Sequence, residues 1–191
     1  MKKTLLLFGF ALIVGLSACK DPVPVNEEEI ITTLTLSFQE IDLSNNAVGT
    51  PFSASWADAD GDGGNDPVVD GITLKSGSRY KVSLKVLNET VSPADDITTE
   101  VQAEGEDHQF FYTLDNPLML AIGYTDQDAA GDPIGITTVF EAGSASSGLL
   151  TVTLRHLPNK TAEGVSTGDI TNAGGETDME TVPPFSLDII N

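Results

Sequence analysis

One cysteine, one tryptophan, two histidines and nine basic residues are a thin chemical inventory for a chain of 191 residues. A lone cysteine excludes a disulfide within the chain. Two histidines are too few for most histidine-based metal or nucleophilic sites. Against nine lysines and arginines stand 29 acidic residues, a formal net charge of −20. Such a surface repels nucleic acid and anionic lipid, so no nucleic-acid partner is expected. Divalent cations and basic partners are attracted instead. Low aromatic content (6%) and 18 glycines argue against a large enzyme core. The sequence has no G-x-S-x-G elbow, no Cys–His pair, no glycine-rich phosphate loop between strand and helix and no HExxH. It reads as a non-enzymatic protein.

No apolar run approaches the ~20 residues that cross a bilayer. The longest, Leu5 to Leu16, follows Lys2 and Lys3 and has the length of a secretory h-region. It ends in Leu16-Ser17-Ala18-Cys19, which resembles the lipobox of bacterial lipoproteins. Small residues admit the peptidase to the backbone, and the thiol at +1 carries the diacylglycerol as a thioether. Residues 1–18 are therefore expected to be a signal peptide, with Cys19 the lipidation site and a membrane held through that lipid. Two of the nine basic residues lie in this segment, so the remainder is more negative still. Position 20 is Lys, so the Asp at +2 that retains some lipoproteins in the inner membrane is absent. Lys20-Asp21 with Glu27-Glu28-Glu29 partly resembles the surface-export signal of Bacteroidota lipoproteins, although Pro22 interrupts it. The expected location is the outer membrane, on its periplasmic or its cell-surface face. Residues 19–29, with Pro22, Pro24 and three glutamates, read as an extended, self-repelling tether.

Beyond residue 30 the pattern has period two. Leu34, Leu36 and Phe38 alternate with Thr33, Thr35 and Ser37. Tyr80, Val82, Leu84 and Val86 alternate with polar residues, as do Leu150, Val152 and Leu154. These are half-buried antiparallel strands. The continuous apolar stretch Leu118 to Ile122 reads as a more central strand. Helical periodicity is confined to one or two turns near 93–101, with Ser92 as N-cap and Pro93 in the first turn. The fold class is all-β.

Order recurs along the chain at a spacing of about 70 residues. Ser55-Trp56-Ala57-Asp58-Ala59-Asp60 returns as Gly123-Tyr124-Thr125-Asp126-Gln127-Asp128, and Asp66-Pro67-Val68 as Asp132-Pro133-Ile134. Lys81 to Leu87 matches Thr151 to Leu157, Asp96-Ile97-Thr98 matches Asp169-Ile170-Thr171, and Gly105-Glu106 with Asp107 matches Gly175-Glu176 with Asp178. The reading is two tandem Ig-like, β-sandwich-type repeats, 30–104 and 105–191. Each is small for a sandwich, so the halves are expected to pack together or exchange a strand.

Asp58-Ala59-Asp60-Gly61-Asp62-Gly63 has the D-x-D-x-D-G spacing of a calcium loop. Alternate carboxylates converge when the backbone coils around a hard cation, and glycine permits the turn. Asp66 stands at the ninth position and Asp70 just beyond the twelfth, which is Val69 rather than the glutamate of an EF-hand. The set Asp58, Asp60, Asp62, Asp66 and Asp70 therefore reads either as a calcium-stapled β-turn or as a solvated Asp/Gly turn. Asp126 and Asp128 in the second copy are weaker candidates, because the middle carboxylate is lost there. His108 with Glu104, Glu106 and Asp107 suggests a zinc-like cluster, although its parity with Phe110 and Tyr112 places it on a strand at the core's edge. His156 stands where the first copy has Val86, as a strand-end residue.

The elements Trp56-Ala57-Asp58-Ala59-Asp60-Gly61, Leu87-Asn88-Glu89-Thr90, Glu106 to Tyr112 and Asp169 to Asp178 resemble a family of uncharacterised Bacteroidota lipoproteins. Some members carry the label "type 1 periplasmic binding fold", which implies alternating βα units that this sequence does not show. The family has no established activity. Lipoproteins of this sort accompany TonB-dependent outer-membrane receptors, so the resemblance implies a binding module accessory to nutrient or metal uptake. A calcium-stiffened structural or adhesion protein is the alternative.

Overall fold

The computed structural model describes residues 29–61, 64–115 and 117–191. The signal-like segment, Cys19 and the tether up to Glu28 lie outside the described residues, as does Asp62. Among the described residues no helix is long and apolar enough to cross a membrane.

Where the sequence alternates, the chain is strand. The first half contains β1 (Thr33–Ile41), β2 (Phe52–Ala57), β3 (Val68–Val69), β4 (Ile72–Lys75) and β5 (Arg79–Leu87), followed by the short helix α1 (Ile97–Ala103). The second contains β6 (His108–Leu114), β7 (Leu120–Tyr124), β8 (Thr137–Ala142) and β9 (Ser146–His156). Two 3-10 turns, Val165–Thr167 and Ile170–Asn172, then lead to β10 (Glu176–Glu180) and β11 (Phe185–Ile190).

The fold is all-β, as expected, and its strands form two sheets. One has the order β3-β2-β1-β5-β8-β7. In the other, β9 pairs with β6 along one edge, while its opposite edge takes β11 over its first half and β10 over its second. Every pairing is antiparallel except β11 with β4.

Burial follows the pleat. Leu34, Leu36 and Phe38, then Tyr80, Val82, Leu84 and Val86, then Leu150, Val152 and Leu154 are all buried. They meet in one apolar cluster that draws on both sheets. Phe38 stacks on Phe52 at 4.7 Å and meets Phe140 edge-on at 5.8 Å, tying the first and second halves. Truncating a fully buried phenylalanine of this kind costs about 3–5 kcal/mol.

The two halves do not close separate sandwiches. In each half the first and last long strands pair antiparallel, β1 with β5 and β6 with β9. From there they interlock. β4 leaves the first half to lie beside β11, and β8 leaves the second to lie beside β5. Small units bury a lower share of their surface than larger domains, and sharing one core raises it.

Two local expectations shift. The helix begins after Asp96, not at Ser92, because Asn88 and Asp95 exchange backbone hydrogen bonds and hold 88–95 as a closed loop. The stretch at 118–122 contributes to an edge strand, since β7 pairs only with β8. Its burial alternates, as one covered face requires.

β6 is covered on both faces. Its inner face carries Phe110 into the core, and its outer face buries Phe111 beneath Val165 and Ala173 of the segment after β9. His108 and Gln109 are consequently both buried at the start of the strand.

Candidate metal centre and the adjoining groove

Strand register brings the two histidines together. His108 and His156 are direct cross-strand partners at the end of the β6–β9 ladder. Their rings lie 4.8 Å apart, nearly parallel at 11°. A third group arrives from β10. There the register passes from Thr177 opposite Arg155 to Met179 opposite Leu154, so Asp178 is the extra residue of a β-bulge. Bulges re-aim a side chain. Here the bulge carries Asp178 Oδ2 to 3.7 Å from His108 Nε2, with the side chains 1% and 3% exposed.

A glycine makes this approach feasible. Gly175 sits at φ +70°, and a Cβ there would collide with the carbonyl oxygens of His156 and Leu157. Only glycine lets the chain entering β10 pass so close to the end of β9.

Hydrogen bonding orients the His108 ring. Nδ1 lies 3.1 Å from the backbone oxygen of Glu104, an acceptor only, so the contact requires the proton on Nδ1. Nε2 then faces Asp178. One ligand atom from each of His108, His156 and Asp178 lies within 4.8 Å of the other two. Glu29 and Glu104 form a second such group with His108, on the solvent side. Burial pushes the Glu29 carboxyl up, and the negative charges of Glu100, Asp178 and Glu104 push it the same way. This end of the sandwich is thus a region of concentrated negative potential around two imidazoles.

Beside it runs a groove of about 570 Å³ between the turn after β2 and strand β10. Glu29, Asp58, Asp66, Asp178 and Glu180 supply its acidic walls. Trp56 lines it too, 6% exposed, its indole N–H without an acceptor among the described residues. The volume lies within the range of small-ligand sites.

The five aspartates of the first turn divide their roles. Asp58 and Asp66 line the groove. Asp58 Oδ1 also accepts the Gly61 N–H at 2.9 Å. The Asp60 carboxylate accepts the backbone and side-chain N–H groups of Asn65, which hold it below the usual carboxylate range. Asp70 accepts the hydroxyl and backbone N–H of Ser55, which lower it likewise. Asp60 and Asp70 therefore brace the turn, and Asp62 lies outside the described residues.

The weaker candidates gather elsewhere. Glu106, Asp107, Asp126 and Asp128 line a second hollow of about 690 Å³. Asp126 accepts the backbone N–H groups of Gly135 and Thr137 at 2.9 and 2.8 Å. Asp128 accepts those of Ala130 and Asp132 and pairs with Lys160 Nζ at 2.8 Å. Glu106 and Asp107, the sequence neighbours of His108, are exposed and stand apart from its ring. The carboxylates that do reach it come from Glu104, Glu29 and Asp178.

Asp178 and Glu29 escape the sequence reading, which groups Glu104 with His108 and takes His156 for a strand-end residue. A signal for the histidine pair was present. His108 shares parity with Phe110 and Tyr112, and His156 with Leu150, Val152 and Leu154. Pairing those two strands antiparallel, apolar face to apolar face, places both rings on the inner face. The bulge that delivers Asp178 has no such signal. Comparison with protein-family models, with curated proteins and with solved structures finds no match.

Proposed function

We propose that this chain is a non-enzymatic lipoprotein of the outer membrane, anchored through Cys19, whose acidic groove binds a basic segment of a partner protein. The partner fits the role of an outer-membrane uptake receptor to which the module is accessory. One observation carries the reading: a groove walled by Glu29, Asp58, Asp66, Asp178 and Glu180, with Trp56 among its lining residues. Lysine or arginine side chains meet the carboxylates. Electrostatic attraction by a chain of charge −20 favours encounter with such a partner. The non-enzymatic part rests on the missing nucleophile and phosphate-loop motifs, and the anchor on Leu16-Ser17-Ala18-Cys19.

Trp56 is the chain's only tryptophan, so its emission reports the groove without a label. Titration with a short lysine- and arginine-containing peptide is expected to shift that emission, saturably and less at high salt. Replacing Asp58 and Asp66 with Asn should weaken the effect. Emission that ignores the peptide at low salt overturns the reading. The anchor is checked separately: Cys19→Ser should move the protein from the membrane to the soluble fraction.

A second reading, a calcium-stiffened structural or adhesion module, draws on the shared placement of Asp58 and Asp66 along the groove. It predicts that a chelator lowers the melting midpoint.

A further inference from the structure

We infer that His108, His156 and Asp178 form a binding site for a divalent transition metal of the zinc class, at the end of the sandwich beside the groove. The inference touches the proposed groove at Asp178 but stands on the two imidazoles, which the groove reading does not use.

Four observations converge. The three donor atoms already lie within 4.8 Å of one another, whereas ligands around a tetrahedral zinc ion stand about 3.4 Å apart. A contraction of about an ångström closes the gap. The donor set of two imidazoles and one carboxylate suits zinc and related ions, while its nitrogens disfavour calcium and magnesium. His108 is oriented as metal-bound histidines are, with Nδ1 on a backbone carbonyl and Nε2 toward the third ligand. Finally, Asp178 reaches the cluster through a bulge, and the chain reaches the bulge through a glycine that tolerates no side chain. Asp178 Oδ2 stands 3.7 Å from His108 Nε2, near the separation of two ligands on a tetrahedral zinc ion.

The rings as they stand are stacked, and a shared ion requires their nitrogens to converge. His156 is the less buried of the two, so its ring is the one that turns. Glu29 and Glu104 remain outside the three-ligand set and reinforce the negative field that draws a cation inward. With three protein ligands, the fourth position is left to water or to a group presented from the groove.

The test uses the full chain purified in detergent and stripped with chelator. Zn²⁺ is titrated against a chromophoric competitor, and Co²⁺ serves as a spectroscopic stand-in. Binding of one Zn²⁺ per chain is expected, with visible Co²⁺ bands of tetrahedral intensity. His156→Gln, the variant safest for folding, should weaken Zn²⁺ at least 100-fold while circular dichroism and the apo melting curve stay unchanged. Asp178→Asn should weaken it in the same direction. Absence of stoichiometric Zn²⁺ binding in the unmodified chain overturns the site. So does binding that survives His156→Gln. Asp58→Asn with Asp66→Asn separates the two readings. Unchanged Zn²⁺ affinity together with lost peptide binding supports the histidine site, whereas lost Zn²⁺ binding moves the ion to the turn and overturns the assignment.

Discussion

The two aspartate turns begin from nearly the same words and end in opposite states. After β2 the chain reads Trp56-Ala57-Asp58-Ala59-Asp60, and after β7 it reads Tyr124-Thr125-Asp126-Gln127-Asp128. In the second turn all four carboxylate oxygens of Asp126 and Asp128 find partners inside the fold. Asp126 closes on Gly135 and Thr137, and Asp128 closes on Ala130, Asp132 and Lys160. Lys160 itself donates to the carbonyl oxygens of Gly105 and Pro133, with its side chain 5% exposed. An ammonium supplied by the chain therefore occupies the cation position of this turn. In the first turn no lysine arrives among the described residues. Asp60 leans on Asn65, and Asp58 and Asp66 border an open groove. One lysine makes the second turn a staple, while the first borders an open surface.

The sharpest break of this contrast is Lys160→Met. It leaves Asp128 buried at 2% exposure without its counter-charge. Removing one partner of a buried ion pair costs about 3–5 kcal/mol, because the remaining charge is uncompensated. The urea midpoint should fall accordingly. Adding Asp128→Asn to Lys160→Met should recover part of the loss, and a double variant no better than the single one would show that the pair is not what holds the turn.

Acid provides the next test. Burial alone would raise the Asp128 carboxyl, but Lys160 and the two backbone N–H groups outweigh it and hold it below the usual range. Because folding lowers its affinity for protons, the ionised form favours the folded state. Its contribution is complete above the ordinary carboxylate range and is lost as pH falls through the lowered folded value. Stability measured at pH 6 and at pH 3 should therefore fall more steeply in the unmodified chain than in Asp128→Asn. Asp60 is also held low, yet it is fully exposed, so Asp60→Asn should leave the acid profile unchanged.

That contrast was only half legible in the sequence. The repeated turn could be read, because Asp, Gly and Pro mark it wherever it occurs. Lys160 could not, since it sits about 30 residues beyond Asp128 and reaches it only after β8 and β9 have formed. The same division runs through the whole molecule. Strands β1, β5 and β9 announced themselves by parity, which is local. The interlocking of halves through β4 beside β11 did not, because parallel pairing between distant segments leaves no local period. At the metal centre, the inward parity of both histidines was readable, while Asp178 depended on a single inserted residue in β10. The calcium-like spacing is the opposite case, a local pattern whose carboxylates take different roles in the fold. Alternate aspartates suggest convergence on one ion, but Asp60 and Asp70 are engaged by Asn65 and Ser55. Short-range polar patterns specify a turn well and a ligand set poorly, because the turn's own N–H groups compete for the same oxygens.

The smallest expected effect lies in the first turn. Asp58 and Asp66 border solvent and compete with no internal cation, so removing their charge breaks no buried pair. Asp58→Asn with Asp66→Asn should leave the apo melting midpoint near that of the unmodified chain, in contrast to Lys160→Met. Any calcium dependence should disappear in that double variant. With only two described groove carboxylates from this turn, calcium is expected to be held weakly, and millimolar Ca²⁺ should raise the midpoint by a degree or two at most. A large calcium-dependent rise abolished by the same substitutions would reverse the comparison. The open turn would then be stapled like its twin, by an ion taken from solution in place of a lysine taken from the chain.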